Sequence, residues 1–169
     1  VDVSRPLEAA VFTNLVRAWH QHAVLILPEQ HLDNEAQAAF SRRFGPLENV
    51  AIFSKEEEGT VSSEQPIFGI VSNLRKDGSL AGEDSDKDFL LKGNTYWHTD
   101  SSFKRVPAKA SLLSARTVPS VGGETEFADP RAAYDALDSK LKEWLQDKRA
   151  IHSYRYSQGQ IGGLDIMSD

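Results

Sequence analysis

The sequence predicts a mixed α/β domain, mainly β, with helices flanking the sheet. Three observations carry this expectation. A helix–strand–helix run opens the chain, a β-rich stretch begins at Tyr96, and one further helix is inserted after it. That order lacks the regular strand–helix alternation of a doubly wound parallel sheet. With 169 residues the chain is long enough for one domain with a real core, and no composition shift divides residues 1–169.

Residues 7–20 read as a helix, because Leu7, Val11, Leu15 and Trp19 recur at four-residue steps and would place one apolar face on a core. The run 23–27 (AVLIL) is short, continuous and partly β-branched, and Pro28 closes it, as expected of a buried strand. A second helix is expected over 34–44, with Asp33 as its N-cap and Gly45-Pro46 as its stop. Residues 67–72 (IFGIVS) read as a strand. Residues 75–93 are polar and glycine-containing, which suits a mobile lid; their acidic cluster Glu83, Asp84, Asp86 and Asp88 lacks a calcium loop's ligand spacing and reads as a solvated charge run. Residues 109–118 and 124–127 have strand character around a turn at 119–123. Asp129-Pro130 then starts a long helix whose stripe of Tyr134, Leu137, Leu141, Trp144 and Leu145 is expected in the core.

Composition excludes several classes of function. No apolar run approaches the roughly 20 residues that span a bilayer, and the N-terminus lacks a signal-peptide layout. The formal charge is −6 with Lys and Arg scattered, so no basic stripe offers itself to nucleic acid. The absence of cysteine removes disulfides, zinc–thiolate sites and a thiol nucleophile, and a cytoplasmic location fits. There is no initiator Met, and the ending GQIGGLDIMSD reads as an opened loop. An incomplete C-terminus is therefore expected.

Chemistry concentrates in TYWHTDSSF. His98 and Asp100 flank Thr99, and on an extended backbone residues two apart project from one face, so an imidazole and a carboxylate would converge. That pair is two-thirds of the two-His, one-carboxylate triad that holds iron(II) with open coordination positions. Spacing alone carries little weight, and a zinc hydrolase or an inert cupin-like binding module uses the same pair. No HExxH motif or third neighbouring ligand accompanies it to favour the hydrolase. His20, His22 and His31 read as surface or helix-end residues, and His152 as a histidine that is structural or supports a metal ligand by a hydrogen bond.

The strings TYWHTDSSF, VPSVGGETEFADPRAAYDAL and VLILPEQHLDNEAQAAFSRRFGPLE together resemble the family that contains taurine dioxygenase and 2,4-dichlorophenoxyacetate dioxygenase. The resemblance covers nearly the whole chain. It implies a double-stranded β-helix (jelly roll) and a Trp-His-x-Asp segment in which His98 and Asp100 are iron ligands. It also implies that Thr125, 27 residues after His98 in GGETEF, binds a 2-oxoglutarate carboxylate. The implied reaction consumes 2-oxoglutarate and O2 at Fe(II), hydroxylates a small organic acid, and releases succinate and CO2. In the family a second iron His and a 2-oxoglutarate-binding Arg lie further C-terminal than this sequence reaches.

The resemblance extends to the substrate pocket. The taurine branch lines it with an Asn four residues before the iron His and a Phe five residues after it, and Asn94 and Phe103 match. A sulfonate-contacting His and a nearby Tyr of that branch correspond to Val50 and Phe53 here. Loss of two polar partners disfavours taurine and suits an aryloxyalkanoate-like acid, since a buried anion without partners is costly. Phe53 and Phe103 have plain core packing as the alternative role. A homo-oligomer is compatible with these features.

Overall fold

The first helix, α1 (Ala9–His22), buries Leu15 and brings Phe12 and Trp19 against Phe44, which follows the second helix, α2 (Asn34–Arg42). The computed structural model describes residues 1–49, 68–74, 77–80 and 93–160. Further helices among the described residues are α3 (Pro130–Asp135), α4 (Ser139–Leu145) and α5 (Tyr154–Gln160). The chain divides into two compact units, Val1–Leu47 with Leu112–Arg149 and Glu48–Ser111 with Ala150–Asp169. Among the described residues, no helix is long and apolar enough to cross a membrane.

In the first unit Val3, Leu15 and Phe40 form a buried cluster, joined by Leu7, Phe12, Leu25, Leu27, Leu32, Phe44 and Leu112. The face of α1 differs from the expected stripe, because Val11 is exposed while Phe12 is half-buried. Four-residue steps drift by about 40° each around a helix of 3.6 residues per turn, so three- and four-residue steps through Phe12, Leu15 and Trp19 hold the face better. Phe44 is the hub: its ring meets Phe12, Phe40 and Trp19 edge-on at 5.0, 5.4 and 5.8 Å. Such pairs contribute roughly 0.5–1.5 kcal/mol beyond the area they bury.

Side-chain oxygens decide where the helices begin. Asp33 Oδ1 accepts from Ala36 N–H at 2.7 Å and caps α2, as expected. The helix stops in three successive short-range bonds, Arg43 to Phe40, Phe44 to Ser41 and Gly45 to Arg42, and Gly45 then takes φ +148°. Asp129 caps α3 with Pro130 in its first turn, also as expected. The predicted long helix, however, is two short ones. Asp138 Oδ1 accepts from Leu141 N–H at 2.8 Å and starts α4 afresh, since a short carboxylate competes for backbone donors where a helix would otherwise continue. Arg131, held by Asp129 at 2.8 Å, donates to the His20 carbonyl at the C-terminal end of α1 and so satisfies an orphan acceptor there.

Two further expectations are corrected. The stripe of Tyr134, Leu141 and Trp144 is exposed, with Trp144 at 62 %, and no residue of α3 or α4 is buried. Lys142 and Lys148 lie over the Tyr134 and Trp144 rings at 5.5 and 5.0 Å, so helical periodicity here marks aromatics covered by lysines rather than by a core. The second correction concerns the strands. Residues 23–27, 68–72, 109–118 and 124–127 carry no ladder, and Ile26 is 84 % exposed. Among the described residues the β-pairing is a single antiparallel bridge, Leu74 to Leu80. A strand is completed by a neighbour's hydrogen bonds, and a local apolar run says nothing about where that neighbour is. Most of the expected 75–93 lid, with its acidic cluster, lies outside the described residues.

Phe40 supplies the measurable test of this core. Phe40→Ala should lower unfolding stability by about 3 kcal/mol, the usual cost of a large-to-small change at a buried aromatic. Urea denaturation reads it directly, and a loss under about 1 kcal/mol would show that α1 and α2 do not depend on this cluster.

Candidate functional site

His98 and Asp100 sit where the chain turns, not on a paired strand. Residues 100–103 form a turn, and Lys104 N–H donates to the Ser101 carbonyl at 2.9 Å. Ser101 takes φ +56°, a left-handed conformation that costs a non-glycine residue roughly 1–2 kcal/mol. Glu48 compensates. Its two carboxylate oxygens each accept from the buried Ser101 hydroxyl at 2.8 Å, and Lys104 Nζ pairs with Oε1. Burial opposes ionisation of Glu48, but the Lys104 and Ser101 hydrogen bonds outweigh it and hold the carboxyl below its usual range.

The turn sets the two candidate ligands side by side. His98 Nε2 lies 3.3 Å from Asp100 Oδ1. His98 Nδ1 lies 2.7 Å from the Tyr96 carbonyl oxygen, which can only accept, so Nδ1 carries a proton. The lone pair of the neutral ring is therefore on Nε2, facing the carboxylate. Two acceptors facing one another repel unless a proton or a cation lies between them. Two donors each about 2.1 Å from a metal and roughly at right angles stand about 3 Å apart, and the observed separation fits. The donor set of one imidazole and one carboxylate suits a first-row divalent ion. Asp100 Oδ2 is engaged elsewhere, accepting from Ser111 Oγ at 2.6 Å. Both candidate side chains remain about half exposed, and Trp97 beside them is 69 % exposed.

Among the described residues, no third His, Cys, Asp or Glu joins His98 and Asp100 in a metal-binding group. His152 instead places Nδ1 2.9 Å from Ser102 Oγ. His20 and His22 lie in the exposed last turn of α1, and His31 is exposed as well. Phe103 is half-buried against Tyr154, ring centroids 5.0 Å apart, and burial pushes the Tyr154 phenol up. Asn94 is exposed in a helical turn. Thr125 is exposed and belongs to the first unit, whereas His98, Asp100, Asn94 and Phe103 belong to the second. Val50 and Phe53 lie outside the described residues.

Sequence reasoning missed Glu48, Lys104, Ser101, Ser111 and the Tyr96 carbonyl. Glu48 is 53 residues from Ser101 and 56 from Lys104, and no local pattern reports a contact of that range. The one available signal was the serine content of WHTDSSF and KASLLS, since hydroxyls near a carboxylate are natural donors to it.

Residues 1–166 match the family model described as taurine catabolism dioxygenase TauD, TfdA family. The chain is 46 % identical over 158 residues to the (S)-phenoxypropionate/alpha-ketoglutarate-dioxygenase of Sphingobium herbicidovorans, covering 92 % of this chain and 49 % of that protein. It is 36 % identical over 165 residues to the alpha-ketoglutarate-dependent 2,4-dichlorophenoxyacetate dioxygenase of Cupriavidus pinatubonensis, covering 98 % and 57 %. Among solved structures it is similar to AAD-2 in complex with Mn(II) and N-oxalylglycine, with TM-score 0.82, 40 % identity, and 97 % of this chain and 55 % of that one covered. The chain thus spans about half the length of the curated relatives it matches.

The Glu48 clamp makes stability depend on acid. The folded state binds the Glu48 proton less readily than the unfolded chain does. Its contribution is complete above the unfolded carboxylate range and is lost as pH falls through the lower folded value. Glu48→Gln should cost about 1 kcal/mol at pH 7, and the gap to wild type should close as denaturation is repeated toward pH 3. A gap that is constant with pH would contradict the clamp.

Proposed function

The chain belongs to the TauD/TfdA dioxygenase family, and from that premise we propose that the protein is a non-haem iron(II)- and 2-oxoglutarate-dependent dioxygenase acting on an aryloxyalkanoate-like organic acid. The observation that carries the reading is the 3.3 Å approach of His98 Nε2 to Asp100 Oδ1 with Nδ1 pinned on Tyr96. The activities of the relatives support it, as does the Mn(II) and N-oxalylglycine in complex with AAD-2. The jelly roll with flanking helices belongs to the same proposal, this chain forming part of it.

In this reading His98 and Asp100 hold the iron, which with 2-oxoglutarate and O2 supplies the oxidising power, succinate and CO2 being the co-products. The remaining work is done by the chain. The Tyr96 carbonyl keeps the proton on His98 Nδ1, so that Nε2 is always the coordinating nitrogen. The Glu48–Ser101–Lys104 clamp fixes the turn that carries Asp100. Thr125 anchors a carboxylate of 2-oxoglutarate. Asn94 and Phe103 line the substrate site, and in the sequence the apolar Val50 and Phe53 stand at the positions where the taurine branch has polar partners for a sulfonate.

Two measurements test the reading. Anaerobic addition of iron(II) and 2-oxoglutarate should produce a visible charge-transfer band, and His98→Ala and Asp100→Ala should each abolish it and reduce turnover more than about 100-fold. An unaltered band in both variants would sink the ligand assignment. Succinate release should be faster with aryloxyalkanoates than with taurine; the reverse order would retain the family and overturn the substrate class.

A further inference from the structure

The geometry points to Ser111 as a positioning residue for the metal carboxylate, reserving one oxygen of Asp100 for the ion by occupying the other. The inference rests on His98 and Asp100 being the ligands. Asp100 has two oxygens with different surroundings. Oδ1 faces His98 Nε2 at 3.3 Å, and Oδ2 accepts from Ser111 Oγ at 2.6 Å. A hydroxyl–carboxylate bond of that length lies in the short, charge-assisted range.

The arrangement has a chemical consequence. A carboxylate free to rotate can bind a metal through both oxygens, and each added protein oxygen removes a position from the ion. A triad that must accept a chelating co-substrate and a gas needs three open positions. With the Ser111 hydroxyl on Oδ2, only Oδ1 is turned toward the imidazole. Ser111 also fixes the carboxylate plane, which a half-exposed side chain would not otherwise hold. Ser111 sits eleven residues after Asp100, beyond the turn, and so braces it from a separate part of the second unit. Glu48 grips the backbone turn through Ser101, while Ser111 grips the ligand itself.

The test compares Ser111→Ala, Ser111→Thr and Ser111→Val in the full chain, with His98→Ala and Asp100→Ala as controls. Anaerobic titration gives the iron(II) Kd, and the visible d–d spectrum of the cobalt(II)-loaded protein reports coordination number. Removing the hydroxyl should weaken iron(II) binding 10–100-fold, the usual effect of losing an outer partner of a metal ligand, and should change the cobalt(II) bands. Threonine, which keeps the hydroxyl, should restore both. Valine, which has the shape of threonine without its hydroxyl, should behave like alanine, and it replaces that variant should alanine fail to fold. Wild-type Kd and cobalt(II) spectrum in the alanine or valine variant, with binding lost in the two controls, would overturn the role of Ser111 and leave the ligands in place. Unchanged metal binding in the controls would overturn the ligand reading, and this inference with it.

Discussion

The turn that carries the candidate site is held by one carboxylate, Glu48. Ser101 adopts a backbone conformation that its side chain disfavours, and it does so while buried at 8 % exposure. The hydrogen bonds it donates to Glu48 stabilise that conformation, and Lys104 neutralises the charge that would otherwise be left partly desolvated. Asp100 precedes Ser101 and His98 lies two residues further back, so the clamp acts on the stretch from which both candidate ligands leave the backbone. Ser102 with His152, and Phe103 with Tyr154, then tie the rest of the turn to residues fifty or so positions later.

The first unit is organised on a different principle. Its cohesion comes from Phe44, whose ring is met by three others, and from polar side chains that reach over to close helix ends. Gln37 donates to the Leu112 carbonyl, and Arg116 donates to Asn34 and Gln37, so α2 is joined to residues 112–116 by hydrogen bonds as well as by Leu112. Arg131 does the same for the end of α1. The arginine bonds are exposed, that of Gln37 is partly buried, and each is individually modest; their value is in fixing which segments lie together.

Local signals were legible in the sequence and long-range ones were not. Asp33 and Asp129 were readable as caps because capping is a matter of two or three residues; α1 was readable from its periodicity, and α2 from its cap and its Gly45-Pro46 stop. His98 and Asp100 were readable as neighbours because a spacing of two suffices to bring them together. The family was legible because separate strings agreed at the right separation, and the matching model over residues 1–166 bears it out. Asp138 was overlooked because apolar residues continue past it at helical spacing. The strand segments were legible as apolar runs but not as a sheet, since pairing depends on residues distant in the chain. Glu48 and Ser111 are ordinary surface residue types, and nothing near them in sequence discloses the partners they acquire.

The placement of tryptophan gives the molecule an optical reporter. It has three indoles. Trp19 is packed against Phe44, while Trp97 and Trp144 face solvent. Lys148 lies over the Trp144 ring, whereas Trp97 is bonded directly to His98. A paramagnetic ion held by His98 would sit within a few ångströms of the Trp97 peptide and quench its red-shifted emission, leaving the bluer emission of Trp19 as an internal reference. Occupancy of the site and integrity of the aromatic core would then be read from two ends of one fluorescence spectrum.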